Sequence, residues 1–425
     1  MQKAKDNKTL CLHFQANPYL CFLLIEEMKL GSDRLQVLEE SQTLAISKKV
    51  RELKAAGMDI LGLTLGEPDF ETPEPIRAAA IQAIQEGFTH YPPVAGIPEL
   101  RKAVAEKFLH TNQIPSSAAQ VIISTGAKQS ILNAIMVLVN PGEEVILPVP
   151  FWVSYAEMVK MAEGKAVLIP SGKEEDFKLS AEKLEAAITP ATRMIIFSSP
   201  SNPAGAMYSK EELAQLVKVL ENHPQVYVLS DEIYEFISYG KPHISIGSFP
   251  SIADRVITVN GVSKGFAMTG WRIGFMSAPV WIAELCEKYQ GQVTSGACSI
   301  AQKAALAAMT QDLGPTHRMT QAFQSRRDLF YDLLKQIPGF TLSPPDGAFY
   351  MYPDISSLFG KVTPLGKTIH SPMDFSLYLL EEVGVAVVSG EAFGTYDHIR
   401  LSFACSEETL VEAAERIKVA VSRLK

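Results

Sequence analysis

The chain has 425 residues, 47% of them hydrophobic and 20% charged, and 39 Lys and Arg against 47 Asp and Glu give a formal net charge of −8. That length exceeds what one simple core organises and predicts two domains. With no block of basic residues, the chain offers no electrostatic footprint for nucleic acid. Five cysteines, Cys11, Cys21, Cys286, Cys298 and Cys405, carry neither metal-ligand nor disulfide-framework spacing. No metal site is therefore expected, and a reducing, cytoplasmic setting is.

The first stretch, "LCLHFQANPYLCFLLIEEMKL", is partly apolar, but Pro18, Glu26 and Glu27 interrupt it. It is too short and broken to span a bilayer, and no small-residue cleavage site follows its apolar core. Residues 1–27 are expected to be a disordered extension or a translation artefact, with Met28 opening the folded protein. Residues 28–74 are expected to pack with the C-terminal part as the N-terminal segment of a small domain. From 75 to 315 helices and short apolar strands alternate. "EPIRAAAIQAIQEG", "PELRKAVAEKFLHT" and "KEELAQLVKVLENH" carry helical periodicity. "VIIST", "EVILPVP", "AVLIP", "MIIFSSP", "VYVLSD", "VITVN" and "IGFMSAP" read as strands. Such alternation predicts an α/β large domain with a mostly parallel sheet between helices. Residues 314–337 read as one long helix. After it, "GAFYMYP", "FSLYLLEEVGVAVVSG", "IRLSFA" and "EETLVEAAERIKVAVSRLK" suggest a smaller α/β domain, with 316–425 its C-terminal part.

In an open α/β sheet, ligands sit beyond the C-terminal ends of the strands. Four such ends deliver polar groups: "MIIFSSPSNP" reaches Asn202, "VYVLSDEIY" supplies Asp231 and Tyr234, "VITVNGVSK" runs into Lys264, and "VIISTGAKQS" turns into a helix at Gly126, Ala127 and Lys128. Arg272 follows Lys264 by eight residues. Cations near the middle of a folded domain are costly unless paired, neutralised or chemically used. This set suits pyridoxal 5′-phosphate. Its aldehyde needs a lysine amine, its ring nitrogen a carboxylate, its ring hydroxyl an amide or phenol, and its phosphate a helix N-terminus plus a cation. Alone, each feature has a plainer use: a lysine in a solvated loop, an Asp-Glu pair as a helix cap, "SPSNP" as a turn. Their conjunction in this order is what points to the cofactor.

Nine stretches, "LTLGEPDFETPEPIR", "HYPPVAGIPELR", "STGAKQSILNA", "PFWVSYAEM", "SSPSNPAGAMYSKEEL", "LSDEIYE", "VNGVSKGFAMTGWRIGF", "GAFYMYP" and "IRLSFACS", resemble fold-type I, class I pyridoxal-phosphate aminotransferases of the bacterial aspartate/prephenate branch. The resemblance covers nearly everything from Met28 onward. It implies a large domain with a mostly parallel seven-stranded sheet and a smaller α/β domain. It also implies that Lys264 bonds the cofactor and moves the substrate's α-proton, Asp231 pairs with the ring nitrogen, and Tyr234 and Asn202 contact the ring hydroxyl. Trp152 would stack on the ring. Arg272, Gly126, Ala127 and Ser263 would hold the phosphate, and Tyr91 would reach the phosphate of a second subunit, which implies a homodimer with shared active sites. Gly66, Trp152, Asn202 and Arg400 would bind substrate, Arg400 through its α-carboxylate. Lys128, with Ser41 and Thr43, would face a second carboxylate. The implied reaction is L-aspartate with 2-oxoglutarate, in ping-pong order. Where prephenate-active relatives often carry Lys-Pro-Ser, this chain has Glu39, Glu40 and Ser41. Prephenate, arogenate, aromatic amino acids and kynurenine remain alternative substrates, and a lyase of the same fold an alternative activity. A DNA-binding regulator is not expected, because residues 1–27 are too short for a winged helix.

Overall fold

The seven apolar runs become the strands of one sheet. The structure is a computed structural model describing residues 31–39 and 42–425. The expectations for residues 1–27 and for Ser41 lie outside the described residues, as does the side chain of Thr43. Residues 31–39 hold one helical turn, Asp33–Gln36.

Next in the chain come α1 (Gln42–Ala55), the two-residue strand β1 (Leu61–Gly62), α2 (Glu74–Gln85) and α3 (Pro98–Asn112). Strand and helix then alternate through β2 (Val121–Ser124), α4 (Ala127–Leu138), β3 (Glu144–Val149), α5 (Ser154–Met161) and β4 (Lys165–Pro170). They continue through α6 (Ala181–Ala187), β5 (Thr192–Ser198), α7 (Lys210–Glu221) and β6 (Tyr227–Asp231). β7 (Val256–Gly261) and β8 (Gly274–Ser277) complete the sheet, before α8 (Val280–Val293), α9 (Ser299–Thr310) and α10 (Gly314–Leu334). The strand order is β2-β8-β7-β6-β5-β3-β4, and β8 runs antiparallel to both neighbours.

Period-two alternation divides the strand side chains between two helix layers. Ile146, Ile195 and Val228 pack with Leu213, Leu216 and Leu220 of α7, whereas Val145, Leu147, Met194, Ile196 and Leu229 pack with Ile131 and Ile135 of α4 and Ile282 of α8. Both faces are covered, which is why the strands read as continuous apolar runs. Each such Leu or Ile contributes roughly 1.5–3 kcal/mol by leaving water. Ser209 caps α7 through Glu212 N–H, and the Glu212 side chain returns to Ser209 N–H at 2.7 Å, so the helix start is fixed by a capping box.

The remaining elements are β9 (Tyr350–Met351), α11 (Pro372–Val383), β10 (Val385–Ala386), β11 (Val388–Ser389), β12 (Ile399–Ser402) and α12 (Glu407–Ser422). β11, β12 and β9 form an antiparallel sheet, and β10 pairs in parallel with β1. Phe323, Phe330 and Leu334 of α10 pack with Phe349, Phe375, Leu410 and Ile417. α10 stops at Leu334, short of the expected 337. Pro338 accounts for the difference, because the residue before a proline is pushed out of helical conformation. Among the described residues no helix is long and apolar enough to cross a membrane.

Candidate active site

Strand direction gathers the polar residues at one edge. β5 and β6 are parallel, so Ser198 and Asp231 end side by side. β7 ends at Gly261, three residues before Lys264. Because β8 is antiparallel, its first residues lie at that same edge, and Arg272 precedes them. β2 in turn is antiparallel to β8, so the turn into α4 arrives there too. A cavity of about 390 Å³ opens at this edge, within the size range of small-molecule sites. Gly66, Ala127, Lys128, Trp152, Asn202, Asp231, Tyr234, Ser263, Lys264, Arg272 and Arg400 all line it.

Charge is the cavity's main feature. Four cations, Lys128, Lys264, Arg272 and Arg400, face two carboxylates, Glu67 and Asp231. None of the four has a carboxylate within ion-pair distance among the described residues. Arg400, on β12, is 2% exposed. Its Nη1 donates to Asn202 Oδ1 at 2.8 Å and its Nη2 to the Thr64 carbonyl at 2.8 Å, while Nε has no partner among the described residues. The Tyr350 ring lies 4.4 Å from the guanidinium. A buried cation held only by neutral groups is expensive, and an anionic ligand removes that cost. Lys128 Nζ sits 4.9 Å from the Trp152 ring centroid. Lys264 Nζ donates to the Gly66 carbonyl.

The turn at Gly126 is shaped for an anion. Gly126 has φ +81°, and a Cβ there would lie 2.4 Å from Arg272 Nη2. A Cβ on Gly274 would lie 2.1 Å from Ala127 N. Only glycines let α4, β8 and Arg272 approach this closely. The first N–H groups of a helix lack intrahelical partners and carry the positive end of its dipole, so α4 and Arg272 together make an oxyanion cradle.

Burial sets the protonation states. It pushes the Asp231 carboxyl up to about 6, opposed by the Tyr155 hydroxyl, which donates to Oδ2 at 2.7 Å, and by Ile233 N–H. It brings the Lys264 amine down to about 8, with Glu67 pulling up and Arg272 and Arg400 pushing down. Lys128 is lowered by burial and by Arg272. The Tyr234 phenol is driven well above its ordinary range by burial, and its oxygen lies 2.7 Å from that of Tyr350.

One expected residue sits elsewhere. Tyr91 is 93% exposed and does not line this chain's cavity. Ser41 is outside the described residues, and Thr43 falls within α1. Several lining residues escaped sequence reasoning. Tyr155 follows Trp152 by three residues at the start of α5, a helical spacing that offered a signal. Tyr350 lies in "GAFYMYP", and a Cβ on Gly66 would come within 2.6 Å of its hydroxyl. Glu67 accepts from Thr269 Oγ1 at 2.9 Å, a pairing across the chain that no local pattern marks.

The family described as aminotransferase class I and II matches residues 58–417. The chain belongs to this family. It is 49% identical over 391 residues to a probable aspartate/prephenate aminotransferase of Rhizobium leguminosarum bv. phaseoli, covering 91% of this chain and 97% of that one. The crystal structure of the aspartate aminotransferase from Rhizobium meliloti superposes with a TM-score of 0.91 at 43% identity, covering 93% of this chain and all of that one. The aspartate aminotransferase from Thermus thermophilus with maleate gives 0.87 at 40% identity, covering 92% of this chain and all of that one. This aminotransferase therefore has the fold-type I architecture expected from its motifs, and its cofactor is pyridoxal 5′-phosphate. The residues present fit that group: the glycine cradle beside Arg272 suits a phosphate, buried Asp231 suits a ring N–H, and Lys264 is a half-buried amine lining the cavity, without an ion-pair partner among the described residues.

Proposed function

We propose that the chain is an aspartate aminotransferase, moving the amino group of L-aspartate to 2-oxoglutarate and yielding oxaloacetate and L-glutamate. The observation that carries this reading is the charge inventory of the cavity. Arg272 is matched by the cofactor phosphate and Lys264 by the cofactor itself, which leaves Arg400 and Lys128 for two further carboxylates. Aspartate and glutamate each bring two. The maleate named with the Thermus thermophilus structure is also a dicarboxylate.

When bound, pyridoxal phosphate supplies an aldehyde that takes up the amino group and a ring that draws electrons from the substrate α-carbon. Asp231 holds the ring nitrogen, Tyr234 and Asn202 its hydroxyl, and Trp152 its face. Arg272, Ser263 and the N–H groups at Gly126 and Ala127 hold the phosphate. Arg400 grips the α-carboxylate with a two-pronged guanidinium, close to the backbone of Gly66. Lys128 takes the side-chain carboxylate. Lys264 Nζ, lowered to about 8, is partly neutral near physiological pH and removes the α-proton as a general base. Two half-reactions sharing one site give ping-pong kinetics. Tyr91, nearly fully exposed, completes the site of a second copy, so the working unit is a homodimer. The chain divides at about 75 and 316 into a cofactor-binding domain and a smaller one, and it works in the cytoplasm.

A second reading, prephenate as amino acceptor, is supported by the name of the Rhizobium leguminosarum relative, while the sequence Glu39-Glu40-Ser41 lacks the cation of the Lys-Pro-Ser that prephenate-active relatives often carry, which weighs against it. Turnover of aspartate, phenylalanine and glutamate with prephenate, measured in one preparation, separates the readings. Absence of aspartate turnover rejects the first.

A further inference from the structure

Strand periodicity gives the end of β6 a second face. Asp231 turns toward the cavity, so Ser230 and Glu232 turn away from it. Glu232 is fully buried there. Its Oε1 accepts from the hydroxyls of Ser230 at 2.9 Å and Ser245 at 2.6 Å, and its Oε2 lies 3.0 Å from His243 Nε2. Three residues on, buried Glu235 ion-pairs with Lys107 of α3 and accepts from Asn112 Nδ2 at 2.8 Å. Lys107 also donates to Asn112 Oδ1 at 2.7 Å. Glu232, Glu235 and His243 have potential metal-ligand atoms within 4.8 Å of one another, but the Lys107 ammonium already occupies the cation's place on Glu235.

The charge count is then incomplete. Two buried carboxylates meet one ammonium, and His243 is the group left to balance them. The charged groups facing its ring are Glu232, Glu235 and Lys107. Burial alone would lower its pKa, yet the two carboxylates outweigh burial and Lys107 and raise it above its ordinary value.

We propose that His243, as an imidazolium on Glu232, is a positioning residue for Asp231: with Lys107 it brings the Glu232–Glu235 pair to zero net charge and keeps Asp231 ionised against the cofactor's ring nitrogen. This rests on the assignment of Asp231 given above. Without the imidazolium, a net negative charge would lie one residue from a carboxylate that burial already holds up to about 6 and that Glu232 pushes further in the same direction. A neutral Asp231 accepts the ring N–H far less strongly.

The test separates charge from shape. His243 Nδ1 has no partner among the described residues, so a glutamine, whose Nε2 stands where the ring Nε2 does, loses no hydrogen bond to the protein. In the holoenzyme, H243Q should weaken cofactor binding roughly tenfold by equilibrium dialysis and move the acid limb of the kcat/KM profile up by about one pH unit. The double variant H243Q/E232Q removes both charges and should restore both readouts to within about threefold. Unchanged dialysis and pH profile in H243Q overturn the proposal, and so does a double variant as impaired as the single one, which would mark a structural role. Should H243Q not fold, ring nitrogen signals of His243 in the wild-type holoenzyme decide: a protonated ring at pH 7 supports the proposal, and a neutral ring at pH 7 overturns it. D231N is the control. If it binds cofactor as tightly as wild type, the assignment of Asp231 fails and takes this proposal with it. If it weakens binding while H243Q does not, the inference about His243 fails alone.

Discussion

Replacing Arg400 by methionine separates its work from its cost. The side chain is 2% exposed, pairs with no carboxylate among the described residues, and leaves Nε without a partner. Two hydrogen bonds, to Asn202 Oδ1 and the Thr64 carbonyl, and contact with the rings of Tyr350 and Phe393, which a methionine side chain largely keeps, are what the protein gains from it. Loss of the hydrogen bonds costs about 1–3 kcal/mol per orphaned acceptor. Relief of the unpaired buried charge returns several kcal/mol. The two nearly cancel, so R400M should melt within a few degrees of wild type. Function has no such offset. A bidentate pair with a substrate carboxylate comprises two charge-assisted hydrogen bonds of about 1.5–3 kcal/mol each. Losing both lowers kcat/KM for aspartate by about 10²- to 10⁴-fold. Steady-state kinetics and differential scanning fluorimetry, the latter with and without maleate, read both quantities. Saturating maleate should raise the melting temperature of wild type, by about 2.7 kcal/mol of added stability at one hundred times its dissociation constant, and leave R400M unmoved. An R400M enzyme that melts far below wild type, or that is still stabilised by maleate, would refute the argument.

Lys264→Ala should abolish turnover and the visible absorbance of the bound cofactor, and a variant keeping both defeats the assignment. In the cofactor-free protein, a lysine lowered from 10.5 to about 8 binds fewer protons folded than unfolded between those values. Stability relative to Lys264→Ala should therefore rise by on the order of 3 kcal/mol from pH 8 to 10.5 in denaturant titrations, and a flat difference contradicts the burial argument. Lys128→Met should raise KM for aspartate roughly tenfold while sparing monocarboxylic amino acids, as one exposed-to-ligand charge pair implies; an equal loss for both substrates removes it from the specificity pocket. Gly126→Ala must place a Cβ 2.4 Å from Arg272 Nη2 at φ +81°; cofactor titration should show weakened binding, and wild-type affinity would show that the cradle is not the phosphate site.

The fold was legible where burial made it so. β3, β5, β6 and β7 are covered on both faces, and their sequences are unbroken apolar runs that length alone distinguishes from helices. β9, β10 and β11 have two residues each, too few to carry any period. The gathering of Ala127, Asn202, Asp231, Tyr234, Lys264 and Arg272 at one cavity was legible because strand ends and glycine turns mark them locally. Arg400 was not legible from its surroundings: "IRLS" fits a surface strand, and its burial follows from packing against Tyr350 and Phe393. Tyr155, Tyr350 and Glu67 acquire meaning only through partners remote in sequence. His243 comes from a loop, "GKPHISIG", with no signal beyond one histidine.

Sequence separation has a temporal side. Apart from Tyr91, every residue assigned to the cofactor lies between Gly126 and Arg272, in the sheet that the ribosome finishes first. The proposed α-carboxylate grip is Arg400, whose contact with Thr64 spans 336 residues. On this assignment, a nascent chain released as far as α9 holds those cofactor residues but lacks the guanidinium proposed to tell an amino acid from an amine. That discrimination would then be the last property the polypeptide acquires during synthesis, and truncations from the C-terminus should strip it first.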